Sequence, residues 1–454
     1  KARDIEERAE KAAQIFRGTA SEDAFFQLVY FPAKASANLL KMQLYAGLNK
    51  MLASHGCPSA NGYADVIKTC LEEDARLCDA YHKVHDSKWD GMMLSEHIGF
   101  TNWNEEEHML PLRTYVTPYP GDRVCVSVSG NPEYTMGGDW TRKDLLMTDL
   151  LIPGGKGEIR MENCCEADCT WKAETSEGAD WIKLSAAKGT LRGAVAPAEN
   201  KIEENNNVTF ITVSADPELL HNACMETGSE NITGTVTIRS GRCLARIIVA
   251  AGDFTVEEKT AKHDVPVLPA NLKAPRGGVP LACAIEAAEY DNVNPGKDCT
   301  FKLYEPYGKY HSGLRTYPAD DGNKNPADMP NALYSFYLPE EGDYEITLLQ
   351  APGGPVLKDT YCRFGVSANE GEIISVAAVD ESYRAGENSC REWCHSVLVH
   401  EKSGAFTMQG KKGENTLRIY GFDPGVVLMR ILIRKENSEK VSSFFGPLPD
   451  FVRG

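Results

Sequence analysis

No stretch of the sequence approaches the roughly 18 consecutive apolar residues that a bilayer-spanning helix requires, so no transmembrane helix is expected. Positive charge is in deficit as well: 48 Lys+Arg against 65 Asp+Glu leave a formal net charge of −17. That balance repels phosphate backbones and anionic membrane surfaces, and no local Lys/Arg cluster offsets it, so neither nucleic acid nor a membrane is an expected partner. The short motifs of familiar chemistry are missing: there is no G-x-S-x-G elbow, no H-E-x-x-H and no Walker-type glycine loop. Gly137-Gly138 and Gly353-Gly354 read as turn punctuation. No signal-peptide or anchor pattern opens the chain; Lys1 to Arg17 reads as a mid-domain helix, and the expectation is a fragment of a longer protein.

Paired C-x-x-C knuckles are absent too, although the chain holds 14 cysteines. Most sit singly in apolar stretches, such as Cys70, Cys78 and Cys283, and read as small hydrophobes of a reduced chain, which leans toward a reducing cytoplasm. Cys164, Cys165 and Cys169 form one local cluster, and Cys390, Cys394 and His395 another. Without knuckle spacing both read as structural, and neither a metal nor a cofactor is expected.

At 454 residues the chain exceeds a single ordinary core, and its composition, 42% apolar and 25% charged, is that of a globular protein. The reading is a multidomain chain: an N-terminal α-helical bundle over 1–118, an immunoglobulin-like β domain over 119–256, a linker over 257–278 and a C-terminal β-sandwich over 279–454. Both β domains are expected to be antiparallel sandwiches.

The bundle follows from periodicity. Ile5, Ala9, Ala12, Ala13 and Phe16 form one helical stripe, and Tyr63, Val66, Ile67, Cys70, Leu71, Leu77, Cys78, Tyr81 and Val84 another. Between them Thr19-Ala20-Ser21-Glu22 has the form of a capping box, opening a long helix that runs to Met51. Pro32 lies inside that helix, and a kink or restart is expected there. After Pro111 the pattern changes to short β-branched runs bounded by Gly, Pro, Asn and Asp: 123–129, 171–174, 208–214, 234–239 and 244–250. Trp181 reads as a core pin rather than a sugar platform.

The irregular run from Lys88 to Trp103 fits neither period. Its composition suits a loop packed over a core, with a sugar-contacting surface as the alternative. Here Lys88, Trp89, Met92, Met93, His97, Ile98, Gly99 and Trp103 resemble the KWnhMMdqtHIGYtyW run of glycoside hydrolase family 115, a xylan α-glucuronidase family. Asp90-Gly91, Leu94 and Phe100 depart from it. Leu28 to Ala35 is similar to the family's LVxYPvkA helix, which accounts for Pro32. Downstream, 284–290 resembles its IEAehY strand, and the likeness continues through 334–339, Trp393, 413–419, 423–428 and 443–447, in the family's own order.

The resemblance implies removal of (4-O-methyl)glucuronic acid from xylan by carboxylates on a TIM-type barrel. Nothing in this chain has the strand–helix alternation of a barrel, so no catalytic residue is carried over. The implied role is that of an accessory half, with Trp89, His97 and Trp103 as substrate-binding or barrel-interface candidates. A stand-alone carbohydrate-binding or adhesive protein is the alternative. Tyr304, Tyr307, Tyr310, Arg315 and Tyr317 are glycan-binding candidates, because aromatic faces suit sugar faces; tyrosines half-buried at strand ends are the competing reading. The expected partners are a xylan or glucuronoxylan-derived glycan and the catalytic barrel, and a homodimer is compatible with the sequence.

Overall fold

The computed structural model describes residues 2–94, 98–99, 109–129, 131–138, 143–194, 207–254, 261–269, 272, 281–319, 325–436 and 438. Helix α1 (Ala2–Phe16) lies against a continuous rod made of α2 (Glu22–Phe25), a π-helical turn (Phe26–Tyr30) and α3 (Phe31–Ser54); α4 (Ala60–Ser87) completes the bundle. Ion pairs Lys34–Glu10 at 2.9 Å and Lys41–Glu6 at 2.7 Å tie α3 to α1. The buried amide of Asn38 donates to the carbonyl of Cys70 on α4 at 2.8 Å.

One local expectation holds and one is corrected. α-Helical bonding restarts at Phe31 with Pro32 in the first turn of α3, and the π turn just before it absorbs the residue that cannot donate a backbone hydrogen bond. The capping box does not close reciprocally. Thr19 Oγ1 instead donates to the carbonyl of Phe16 at the end of α1, and Glu22 accepts from the amide of Gly18 at 2.6 Å.

The first β unit is a pair of five-stranded sheets. One has the order Tyr134–Thr135, Val124–Val128, Gly157–Asn163, Val208–Ala215, Ile182–Leu184; the other Leu145–Leu150, Cys243–Gly252, Asn231–Ser240, Cys169–Thr175, Lys188–Leu191. Alternating strand residues from both sheets fill the space between them, around Val126, Ile159, Met161, Val236 and Trp181. Trp181 is 2% exposed, a core residue as expected. One pairing is parallel, Leu145–Leu150 on Cys243–Gly252, so the sandwich is antiparallel with one exception. Helix α5 (Pro217–Thr227) was not anticipated, though its start and stop are written in the sequence: Asp216 caps the amide of Leu219, Pro217 takes the first turn and Gly228 ends it at φ 67°.

The C-terminal unit is a pair of six-stranded sheets around Tyr334, Phe336, Tyr344, Phe364 and Ile433. Helix α6 (Arg391–Val399) carries the Cys390–His395 cluster. Over its described part the expected linker is no spacer: His263–Asp264 runs parallel to Asn331–Leu338, and Val265 and Val267 enter the second core. Alternating apolar residues in this segment find a sheet edge to cover, which a solvated tether would forgo.

Candidate functional site

The bundle meets the first sandwich through a buried polar junction. Glu162, fully buried on Gly157–Asn163, accepts from both the amide and the hydroxyl of Ser59 at 2.7 Å each, and pairs with Arg160. Burial pushes its carboxyl up to about 7, against the downward pull of Arg160 and Ser59. Asn49 and Asn61 exchange hydrogen bonds with the backbone of Thr114 and Val116, 2.7 to 2.9 Å long, as a strand would. Cys57, Cys125 and Cys164 pack into one small core beside them. All 14 cysteines are free, and among the described residues no group of His, Cys, Asp and Glu is arranged to hold a metal.

Of the run after α4, the structure places Trp89 half-buried under the ammonium of Lys88, 4.9 Å from its ring centroid. His97 and Trp103 lie outside the described residues. The chain leaves α4 through His85, Asp86 and Ser87, all at positive φ, and returns at Ile98, which packs on Met42, Ile67 and Cys70. Gly99, at φ 77°, accepts from the amide of Met109 at 3.0 Å, and a Cβ there would stand 2.4 Å from the Met109 carbonyl oxygen.

The bundle also exposes apolar surface. Leu28 and Val29 in the π turn are 72% and 49% exposed, and Leu40 and Leu44, one turn apart on α3, are 48% and 60% exposed.

The tyrosine group divides in two. Tyr310 is buried against Leu349 and Met429, donates to Glu401 at 2.5 Å and carries the Arg430 guanidinium 3.8 Å from its centroid. Arg430 in turn donates to Glu286. Tyr310, 8% exposed, is therefore a structural pin and not a stacking face, because its ring is taken up by Leu349, Met429 and the Arg430 guanidinium. Tyr307 lies over Gly313, where a Cβ would come within 2.5 Å of its ring, and forms a half-buried wall 6.1 Å from the Tyr304 ring.

Tyr304, Arg315 and Tyr317 do come together. Strands Thr300–Tyr304 and Gly313–Tyr317 form an edge hairpin with Thr300 opposite Tyr317 and Lys302 opposite Arg315. Alternation sends Phe301 and Leu314 inward and leaves Lys302, Tyr304, Arg315 and Tyr317 on the outer face. Lys302 Nζ stands 5.4 Å from the Tyr304 centroid and 5.0 Å from that of Tyr317, and Arg315 Cζ stands 5.7 Å from Tyr304. Lys302 was missed in the sequence, where only the alternation T-F-K-L-Y pointed to it; its partner across the hairpin needs the register.

No curated protein sequence matches the chain. Among solved structures it is similar to a family GH115 4-O-methyl-alpha-glucuronidase with specificity for decorated arabinogalactans, at 15% identity and a TM-score of 0.41, covering 96% of this chain and 34% of that one. This chain thus spans about a third of that protein's length. A family 35 carbohydrate-binding module from Clostridium thermocellum matches at 12% identity and TM-score 0.24, over 34% of this chain and 98% of the module. A Podospora anserina beta-(1,4)-mannanase that carries such a module matches at 13% and 0.24, over 36% of this chain and 28% of that one. The sandwich built around Tyr334 and Phe364 coincides with a match over residues 281–449 to the glycosyl hydrolase family 115 C-terminal domain, and it is this part of the chain that the family model describes.

Proposed function

We propose that this chain is the accessory half of an enzyme that removes (4-O-methyl)glucuronic acid from xylan, with its helical bundle serving as the seat of a catalytic barrel and its C-terminal sandwich contacting the glycan. The observation that carries the reading is the exposure of four large aliphatic side chains on one rod, Leu28, Val29, Leu40 and Leu44, of which Leu40 and Leu44 stand one turn apart. Several such side chains on one rod are surface that a partner domain would bury, whereas single exposed leucines scattered over a domain need no partner. The rigid Ser59–Glu162 junction suits a bracing role, since it holds the bundle on the first sandwich without depending on the partner.

The test is release of 4-O-methylglucuronic acid from glucuronoxylan by the chain alone, by a family 115 barrel alone and by both. The expected result is release when barrel and chain are combined, lost when the chain carries Leu40→Ser and Leu44→Ser. Release by the chain alone would place a catalytic carboxylate pair within it and end the accessory reading. Equal release with and without the chain would end it as well.

The alternative, a stand-alone glycan-binding protein, draws support from the outward face of the 300–317 hairpin. Glycan retention by the unsubstituted chain, with no association between that chain and the barrel, favours the alternative.

A further inference from the structure

We propose that the outer face of the 300–317 hairpin is a subsite for a carboxylated sugar, with Lys302 and Arg315 receiving the carboxylate and Tyr304 and Tyr317 flanking the ring. This rests on the reading of the C-terminal sandwich as a glycan-contacting module and narrows it to acidic chains.

The ladder places Lys302 directly opposite Arg315, a like-charge pair that is unfavourable unless something neutralises it. Five other cations of this domain have carboxylate partners: Arg430 with Glu286, Arg434 with Glu345, Lys435 with Glu340, Lys309 with Glu401, Arg363 with Asp423. In a chain with 65 acidic residues to 48 basic ones such partners are in surplus, yet among the described residues the 300–317 pair is matched to tyrosine faces instead. Arg315 Nε is buried with no hydrogen-bond partner among the described residues. A donor in that state costs stability until an acceptor reaches it. Tyr317, 49% exposed, and Tyr304 beside it supply flat apolar faces on either side of the Lys302 ammonium.

Anions differ in how they meet a net charge of −17. A nucleic acid presents charge at every phosphate and is repelled by the whole surface, whereas a polysaccharide bearing an occasional uronate presents isolated charges. Screening over roughly 8 Å at physiological salt lets an isolated carboxylate respond to the local cation pair. Neutral backbone sugars meet the tyrosines, and the acidic substituent supplies selectivity through charge-assisted hydrogen bonds.

The measurement is affinity electrophoresis of the full chain through gels containing glucuronoxylan, and through gels containing the same polymer with its carboxyl groups reduced to hydroxymethyl groups. Retention is expected to weaken by about tenfold on the reduced polymer and by a similar factor in Lys302→Gln/Arg315→Gln on the native one. The single Lys302→Gln, an exposed position, guards against misfolding at the half-buried Arg315 and is expected to lose part of the retention. Far-UV circular dichroism should stay unchanged in both variants. Equal retention on the two polymers, or retention untouched by the double variant, would overturn acid recognition here while leaving glycan contact in place. Retention on neither polymer would overturn both.

Discussion

Ser59, the residue just before α4, donates its amide and its hydroxyl to the same carboxylate, that of Glu162, 103 residues further along the chain. Arg160 and Asn207 donate to that carboxylate too, so a single buried side chain gathers the bundle, the strand Gly157–Asn163 and the start of the strand Val208–Ala215. Removing it as Glu162→Ala leaves Arg160 without its carboxylate and is expected to cost about 3 kcal/mol. Urea unfolding of the two proteins checks this; a loss well under 1 kcal/mol would mean that the bundle is held by its apolar contacts instead.

His263 is 1% exposed and neither of its ring nitrogens has a hydrogen-bond partner among the described residues. Burial lowers its pKa from 6.5 to about 4. Between those values the unfolded chain binds the proton that the folded chain refuses, so stability is complete above pH 6.5 and falls as the pH drops toward 4. The expected loss from this residue is about 3 kcal/mol across that window. His263→Leu should flatten the acid limb of a stability–pH profile between pH 4 and 6.5; an unchanged slope would assign the acid sensitivity elsewhere.

The two classes of tyrosine should respond differently to substitution. Tyr310→Phe removes the hydrogen bond to Glu401 in a covered position and is expected to cost about 1 kcal/mol. Tyr317→Ala, on the open face of the hairpin, should stay within about 0.5 kcal/mol of the parent protein while weakening glycan retention. Thermal unfolding and affinity electrophoresis on the same pair of variants read both effects.

Leu40→Ser with Leu44→Ser should likewise leave unfolding free energy within about 0.5 kcal/mol, because both side chains already face water. The same change should abolish association with a family 115 barrel in analytical ultracentrifugation. A large loss of stability would show that these leucines support the bundle itself.

Gly99→Ala is expected to destabilise by about 1–2 kcal/mol, since the site combines positive φ with a carbonyl oxygen 2.4 Å from the added carbon. The thermal midpoint reports it, and a neutral result would mean that the Ile98–Met109 approach relaxes freely.

Local pattern alone determined the order of the chain: amphipathic stripes at 3.6-residue spacing gave the bundle, and short alternating runs gave the sandwich strands, because one buried face dictates each period. The inward position of Trp181 followed from the same rule. What pattern could not determine was which outward residues meet. Lys302 faces Arg315 through a register set 13 residues apart in sequence, and Tyr310 is lost from the glycan face because its ring packs on Leu349 and Met429. Segment 261–269 reads as a tether by composition and becomes part of the second core because the neighbouring strand Asn331–Leu338 offers it an unpaired edge. Burial of one face is a local property of the chain; pairing, coverage and the charge that remains uncompensated are properties of surfaces brought together only by the tertiary fold.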